Sequence, residues 1–190
     1  MNDSIKILMD EHKLILRVIE NIENECEGIK RGNPLNVEFF KAAIDFIRNY
    51  ADKLHHAKEE DILFKEFCKN EENLHCNPVE QMLHEHELGR GFIGAMEDGV
   101  NEKNSKKVVE NALNYCELLK DHIYKEDNIM YPMSEEIING KIWTGMLKKF
   151  KEIDLKRKSE IKKYTDFAKK SGRYKWTYLK KQNLKLRKFT

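Results

Sequence analysis

His55-His56-Ala57-Lys58-Glu59-Glu60-Asp61-Ile62-Leu63-Phe64 is written a second time, in altered form, as His122-Ile123-Tyr124-Lys125-Glu126-Asp127-Asn128-Ile129-Met130-Tyr131. A Glu-His pair precedes each copy: Glu11-His12, its histidine 43 residues before His55, and Glu85-His86, its histidine 36 residues before His122. Histidine and glutamate four apart on a helix project from one face, one turn above the other. Two such faces, joined by two more histidines on partner helices, predict a site for a pair of transition-metal ions. Its donor set is four imidazoles and two carboxylates.

Working outward, the first copy lies on a longer stripe. Phe40, Ile44, Ile47, Ala51, His55, Glu59 and Ile62 follow helical spacing, so the histidine and glutamate continue an apolar face and not a solvated one. A helix before it is expected from about Ser4, whose hydroxyl offers a cap, to Glu27, with Ile5, Leu8, His12, Ile15, Ile19 and Ile22 on its stripe. Residues Gly28 to Pro34 break it, and a second break near Asn70 to Pro78 contains His75 and Cys76. A third helix starts near Val79 and carries Met82, His86, Ile93 and Met96. Its Gly89, Gly91 and Gly94, each about 1 kcal/mol worse than alanine, either permit close helix approach or weaken the segment. A fourth runs from a Ser105 cap to Ile138, with Ala112, Tyr115, Leu119, His122, Glu126 and Ile129 on its stripe and a stop at Asn139-Gly140.

Four long segments with short breaks predict an all-α fold, an up-down-up-down antiparallel four-helix bundle over residues 1–140. Residues 141–190 are expected to form a basic C-terminal helix and tail packed on that bundle. The helix spans Trp143 to Lys170, with Leu147, Phe150, Ile153, Leu155, Ile161, Tyr164 and Phe167 apolar in a lysine-rich background. Arg173 to Thr190 is short, basic and aromatic.

At 190 residues the chain is long enough for one proper core, and 36% charged residues with three prolines suit helices whose outer faces are solvated. No stretch approaches the roughly 20 apolar residues of a membrane span. The opening Met-Asn-Asp-Ser-Ile-Lys lacks a signal-peptide core, so the expected compartment is the cytoplasm. Cys26, Cys68, Cys76 and Cys116 form no Cys-x-x-Cys pair and read as buried small hydrophobes of a reducing compartment. The net charge of +2 conceals an asymmetry: residues 141–190 carry +14 and the preceding 140 carry −12. Lys148-Lys149, Lys156-Arg157-Lys158, Lys162-Lys163 and Lys180-Lys181, with Trp143, Trp176 and Tyr178 between them, admit a nucleic-acid or membrane-surface reading. No nucleic-acid-binding motif supports it, and the favoured reading is a helix laid on the acidic bundle, with no membrane and no nucleic acid as partner.

A single inward histidine is more often a hydrogen-bonded core residue than a ligand, and buried carboxylates are rare because an uncompensated charge in a core is costly. Mutual ion pairing among two His-x-x-x-Glu pairs and two further histidines would leave many polar groups buried around nothing. Coordination satisfies each imidazole and neutralises both carboxylates. Imidazole with carboxylate and without thiolate suits iron, manganese or zinc better than a structural zinc cage. Six protein donors shared by two metals leave open positions for dioxygen, peroxide or nitric oxide.

Glu11-His12, His55-His56-x-x-Glu59-Glu60-x-x-Leu63-Phe64, Glu85-His86-Glu87-x-Gly89-Arg90 and His122-x-x-Lys125-Glu126-Asp127 together resemble the hemerythrin-like, HHE cation-binding proteins, over about residues 5–135. The resemblance implies a four-helix bundle around two non-haem iron ions with an oxo or hydroxo bridge. It implies His12, His55, His86 and His122 as imidazole ligands and Glu59 and Glu126 as the carboxylates. Two departures stand out. Oxygen-carrying hemerythrins have His-x-x-x-His on the third helix, whereas Met82 and Arg90 lie four residues either side of His86. They use His-x-x-x-x-Asp on the fourth, where this chain offers both Glu126 and Asp127; the internal repeat matches Glu126 to Glu59. The missing imidazole disfavours reversible oxygen carriage and favours the broader bacterial class.

Around these, His84 is about 200° from His86 on a helix and is expected to face elsewhere. His56, off the stripe, is expected at the surface, and His75 in a loop. Glu11, Glu60 and Glu85 are read as outer acceptors for ligand imidazoles or as solvated acids, and Tyr115 as a pocket residue or a plain core aromatic. The functional expectation is a di-iron protein that binds dioxygen, nitric oxide or peroxide for sensing, storage or scavenging. The alternative is a di-iron enzyme that decomposes peroxide or supports iron-centre repair.

Overall fold

Six helical rods are seen in the computed structural model, which describes residues 1–70 and 77–171. His75, Cys76 and the 173–190 tail, with Trp176, Tyr178 and Lys180-Lys181, lie outside the described residues. α1 (Asp3–Lys30) buries Ile5, Leu8, His12, Ile15, Ile19 and Ile22, the whole stripe expected of it. Its cap is Asn2, whose side chain accepts from the Ser4 N–H, and not Ser4, which is buried inside the first turn. After α1 the chain turns at Gly32, whose φ of +94° would strain any side chain.

The second rod, α2 (37–68), starts at an Asn36 cap and continues from Val37–Phe46 through π-helical Ile47–His56 and Glu59–Leu63 to Phe64–Cys68. In α3 (Val79–Asn101), Asn77 accepts from the Val79 N–H at the start. α4 (105–137) is capped by Asn104, one residue before the expected Ser105, and turns π-helical over Glu126–Met130. A π-turn bonds i to i+5 and so holds an extra residue. A stripe counted at 3.6 residues per turn therefore drifts there. Ile129, expected inside, is 48% exposed, and Met130 and Tyr131 are buried instead.

Pairings between rods define the topology. Asp52–Arg90 and Arg48–Glu97 run α2 antiparallel to α3. His12–Asp127 and Glu23–Lys120 run α1 antiparallel to α4. The three-residue link 102–104 makes α3 and α4 antiparallel neighbours, pressed together where a Cβ on Gly99 would sit 3.0 Å from Val108. Gly91 and Gly94, by contrast, face open space. The rods thus form an up-down-up-down bundle.

α4 ends at Ile137, one residue short of the expected Ile138, and Asn139 then caps α5 (Gly140–Lys156), its side chain accepting from the Lys141 and Ile142 N–H groups. The expected single C-terminal helix is two, because the backbone leaves helical geometry at Arg157 before α6 (Lys158–Ser171). Arg157 there donates to the Lys53 carbonyl at 2.6 Å. Trp143, Met146 and Phe150 of α5 join one apolar cluster of the bundle, and Tyr164 and Ala168 of α6 join the other. Leu155, expected on the apolar stripe, is 73% exposed. Lys163 pairs with Asp45, so part of the basic segment answers acids of the bundle.

The two apolar clusters leave a gap between them. One begins at Ile15, Leu54, Ile93 and Ile123; the other ends at Leu8, Ile62, Met82 and Met130. Burying a side chain such as Phe46 or Phe150 contributes on the order of 2 kcal/mol, so both ends are firmly held. Every polar residue at issue sits in the layer between them. None of the helices among the described residues is long and apolar enough to cross a membrane.

Candidate metal centre

His12, His55, His86 and His122 are each at most 2% exposed, and Glu59 and Glu126 are fully buried. Glu126 spans two imidazoles, with oxygens 3.2 Å from His12 Nε2 and 3.2 Å from His122 Nε2. Glu59 faces the other two, 3.6 Å from His55 Nε2 and 3.8 Å from His86 Nε2. The His86 and His122 Nε2 atoms lie 2.9 Å apart. All six residues singled out in the sequence thus meet in one layer.

What orients them lies behind. Each imidazole turns its Nδ1 to a carboxylate: His12 to Asp127 at 2.8 Å, His55 to Glu11 at 2.9 Å, His86 to Glu60 at 2.6 Å and His122 to Glu85 at 2.9 Å. A carboxylate on Nδ1 selects the tautomer whose Nε2 is free to accept or to coordinate. Glu11, Glu60 and Glu85 are therefore outer acceptors. Asp127, considered as an inner donor alongside Glu126, stands behind His12.

Inside the layer the satisfaction ends. Among the described residues, His55 Nε2, Glu59 Oε2 and both Glu126 oxygens are buried with no hydrogen-bond partner. Each such atom typically costs about 1–3 kcal/mol. Burial drives the Glu59 carboxyl well above its usual range, and the charge of Glu126 adds to it. Burial opposes ionisation of Glu126 too, but His122 and His12 outweigh it and hold this carboxyl well below. His12 and His122, which burial alone would lower, are raised by the surrounding carboxylates to about 9 and about 10. Burial and the nearby His12 push His55 the other way, well below 6.5. Left to itself the layer would store protons on some donors and strip them from others. The converging donors suit a cation instead. One ligand atom from each of His12, His55, Glu59 and Glu126 falls within 4.8 Å of the others, and so with His56, His86 and His122.

The chain belongs to the hemerythrin HHE cation-binding family. Its residues 3–134 match the family model described as hemerythrin HHE cation binding domain. No curated protein and no solved structure matches the chain. Membership makes cation binding the property that this layer has to explain, and the HHE match ends at residue 134, in the last turn of α4.

Three side chains of this HHE domain were not legible as site residues. Lys58, between the two donors of the first copy, is fully buried and bridges Glu11 and Asp154 of α5. Tyr131 donates to Glu59 at 2.6 Å and stacks on His12. His56, expected at the surface, is 6% exposed and stacks on His86 with centroids 3.8 Å apart, because the π-helical turn around it brings consecutive residues inward. His84 is exposed, as its angle predicts. Among the cysteines, Cys26 and Cys116 are buried, but Cys68 is exposed. A cavity of about 190 Å³ between α2, α3 and α4 reaches His56, His86 and His122. Tyr115 lines it, with a buried hydroxyl that has no hydrogen-bond partner among the described residues.

Proposed function

We propose that this is a cytoplasmic non-haem di-iron protein that binds dioxygen, nitric oxide or peroxide, with His12, His55, His86 and His122 as imidazole ligands and Glu59 and Glu126 as carboxylates between the two irons. The observation that carries the reading is the layer's two-sided order. Four Nδ1 atoms are tied outward to carboxylates, while the inner edge of the layer holds buried polar atoms with no partner. Iron, when bound, supplies redox chemistry and open coordination positions. The protein's own part is to orient the imidazoles and keep the layer dry between its apolar clusters. It also admits a ligand by way of the cavity.

A second reading, peroxide decomposition or iron-centre repair, is favoured by that cavity, which at about 190 Å³ exceeds what a diatomic ligand needs. The deciding experiment is metal content with an ultraviolet-visible spectrum on anaerobically purified protein, before and after air. About two irons per chain with ferric charge-transfer bands support the reading. Bands that reverse on removing oxygen favour carriage or sensing, and rapid peroxide turnover favours the enzyme. No metal uptake even after reconstitution with ferrous iron refutes both.

A further inference from the structure

We infer that Asp154, on α5, is a positioning residue for the metal centre: through Lys58 and Glu11 it holds the His55 imidazole in place. The inference rests on the di-iron reading above, since it assigns a task to a residue behind one of the imidazoles named there. It also carries the site past the family-matched residues 3–134, because α5 begins at Gly140.

The contacts form a continuous line. His55 Nδ1 lies 2.9 Å from Glu11 Oε2. The other oxygen of Glu11, Oε1, accepts from the Lys58 ammonium. That ammonium also donates to Asp154 Oδ1 at 2.6 Å. Glu11 is thus one planar group with an imidazole on one oxygen and a cation on the other, so a shift of Lys58 is passed on to His55. Lys58 is fully buried, and a buried ammonium has to find its acceptors within the protein. With Glu11 as its one carboxylate, Lys58 would pull that group away from the imidazole. Asp154 shares the cation and keeps Glu11 available to His55.

The sequence of α5 delivers that carboxylate. Met146, Phe150 and Asp154 follow at intervals of four and so share one face. Met146 and Phe150 are buried in an apolar cluster of the bundle, and the Phe150 ring centroid lies 5.7 Å from the Lys58 ammonium. One turn further, an acid stands where the pattern would admit another apolar residue. Arg157 then ties the end of α5 to the Lys53 carbonyl of α2. Asp154 is held between these two anchors. By contrast, the α6 contact Lys163–Asp45 joins two exposed side chains, where water screens the charges and little is transmitted. In the second half of the site Glu85 divides its oxygens in the same way, between His122 and Lys125. Lys125 keeps 31% of its side-chain surface and meets water instead of a second helix.

The test compares full-chain wild type, Asp154→Asn and a Lys163→Met control. In the metal-free protein, Asp154→Asn is expected to shift the His55 ring nitrogen signals in a nitrogen-15 magnetic resonance spectrum. Those of His122, held by Glu85, should stay in place. After anaerobic loading with ferrous iron, the same variant should release iron to a chelator about threefold faster or more, a smaller effect than loss of a direct outer acceptor brings. The control should match wild type in both readings. Unchanged His55 signals, an unchanged release rate, or His122 signals displaced as far as those of His55 would each overturn the inference and leave the six-ligand reading intact. A wild type that takes up no iron overturns that reading and this inference together. Circular dichroism establishes folding, and should the asparagine variant not fold, Asp154→Ser decides by the same two readings.

Discussion

In the first copy of the repeat, Lys58 reaches Glu11, which holds His55; in the second, Lys125 reaches Glu85, which holds His122. The acid after each inner glutamate crosses to another rod: Glu60 takes His86, and Asp127 takes His12. The residue closing each copy lies against the histidine so held, Phe64 beside His86 and Tyr131 beside His12. The two copies are therefore two half-sites related by an approximate two-fold, each supplying inner donors and their outer supports. They differ in depth and in two side chains. Lys58 is fully buried under α5, whereas Lys125 keeps 31% of its side-chain surface. His56 answers to Ile123, and the Tyr131 hydroxyl has no counterpart on Phe64. A duplicated pattern has become a site with two unlike ends, one opening on a cavity, the other with a phenol on the carboxylate.

The largest effect should come from breaking both halves alike. Glu59→Ala and Glu126→Ala, and likewise His55→Ala, are expected to lower iron well below about two per chain by metal analysis. Unchanged loading in all three would sink the ligand assignment. Next comes the difference in depth. Lys58→Met leaves Glu11 buried without its cation and should destabilise the metal-free protein by about 3 kcal/mol or more in denaturant unfolding. The same change at Lys125 should stay within about 1 kcal/mol. Equal losses would mean that α5 adds nothing to the first half-site. Glu11→Gln and Glu85→Gln should each weaken iron binding by about tenfold or more in a competition titration while leaving the stoichiometry intact. The smallest change is Tyr131→Phe, which removes the donor to Glu59 and should cost about 1 kcal/mol of metal-free stability.

The stripes of α1 and of α2 as far as Phe46 were legible because an unbroken α-helix repeats its face every 3.6 residues and a core selects that face. Their apolar members and His12 are buried as read; His55 and Glu59 are buried as well, but within the π-helical stretches of α2, where the repeated motif marked them. The reading failed where the period changed. The π-helical turns brought His56 in and put Ile129 out, and a count at α-helical spacing cannot register an extra residue per turn. Caps were displaced by one or two residues for a simpler reason. Asn2 and Asn104 compete with neighbouring Ser4 and Ser105 for the same orphan N–H groups, and the asparagine won both times.

By itself the sequence determined the all-α class, the four-rod order, the family and the six residues that meet in the polar layer. Periodicity and a repeated motif are local properties that survive any packing. Tertiary structure alone decided which acids stand behind which histidines, that Lys58 is sealed by Asp154 and Phe150, and that His56 faces His86 and not water. Those are contacts between rods, set by helix register and by the phase that a π-turn imposes. Neither is written in the spacing of any one segment.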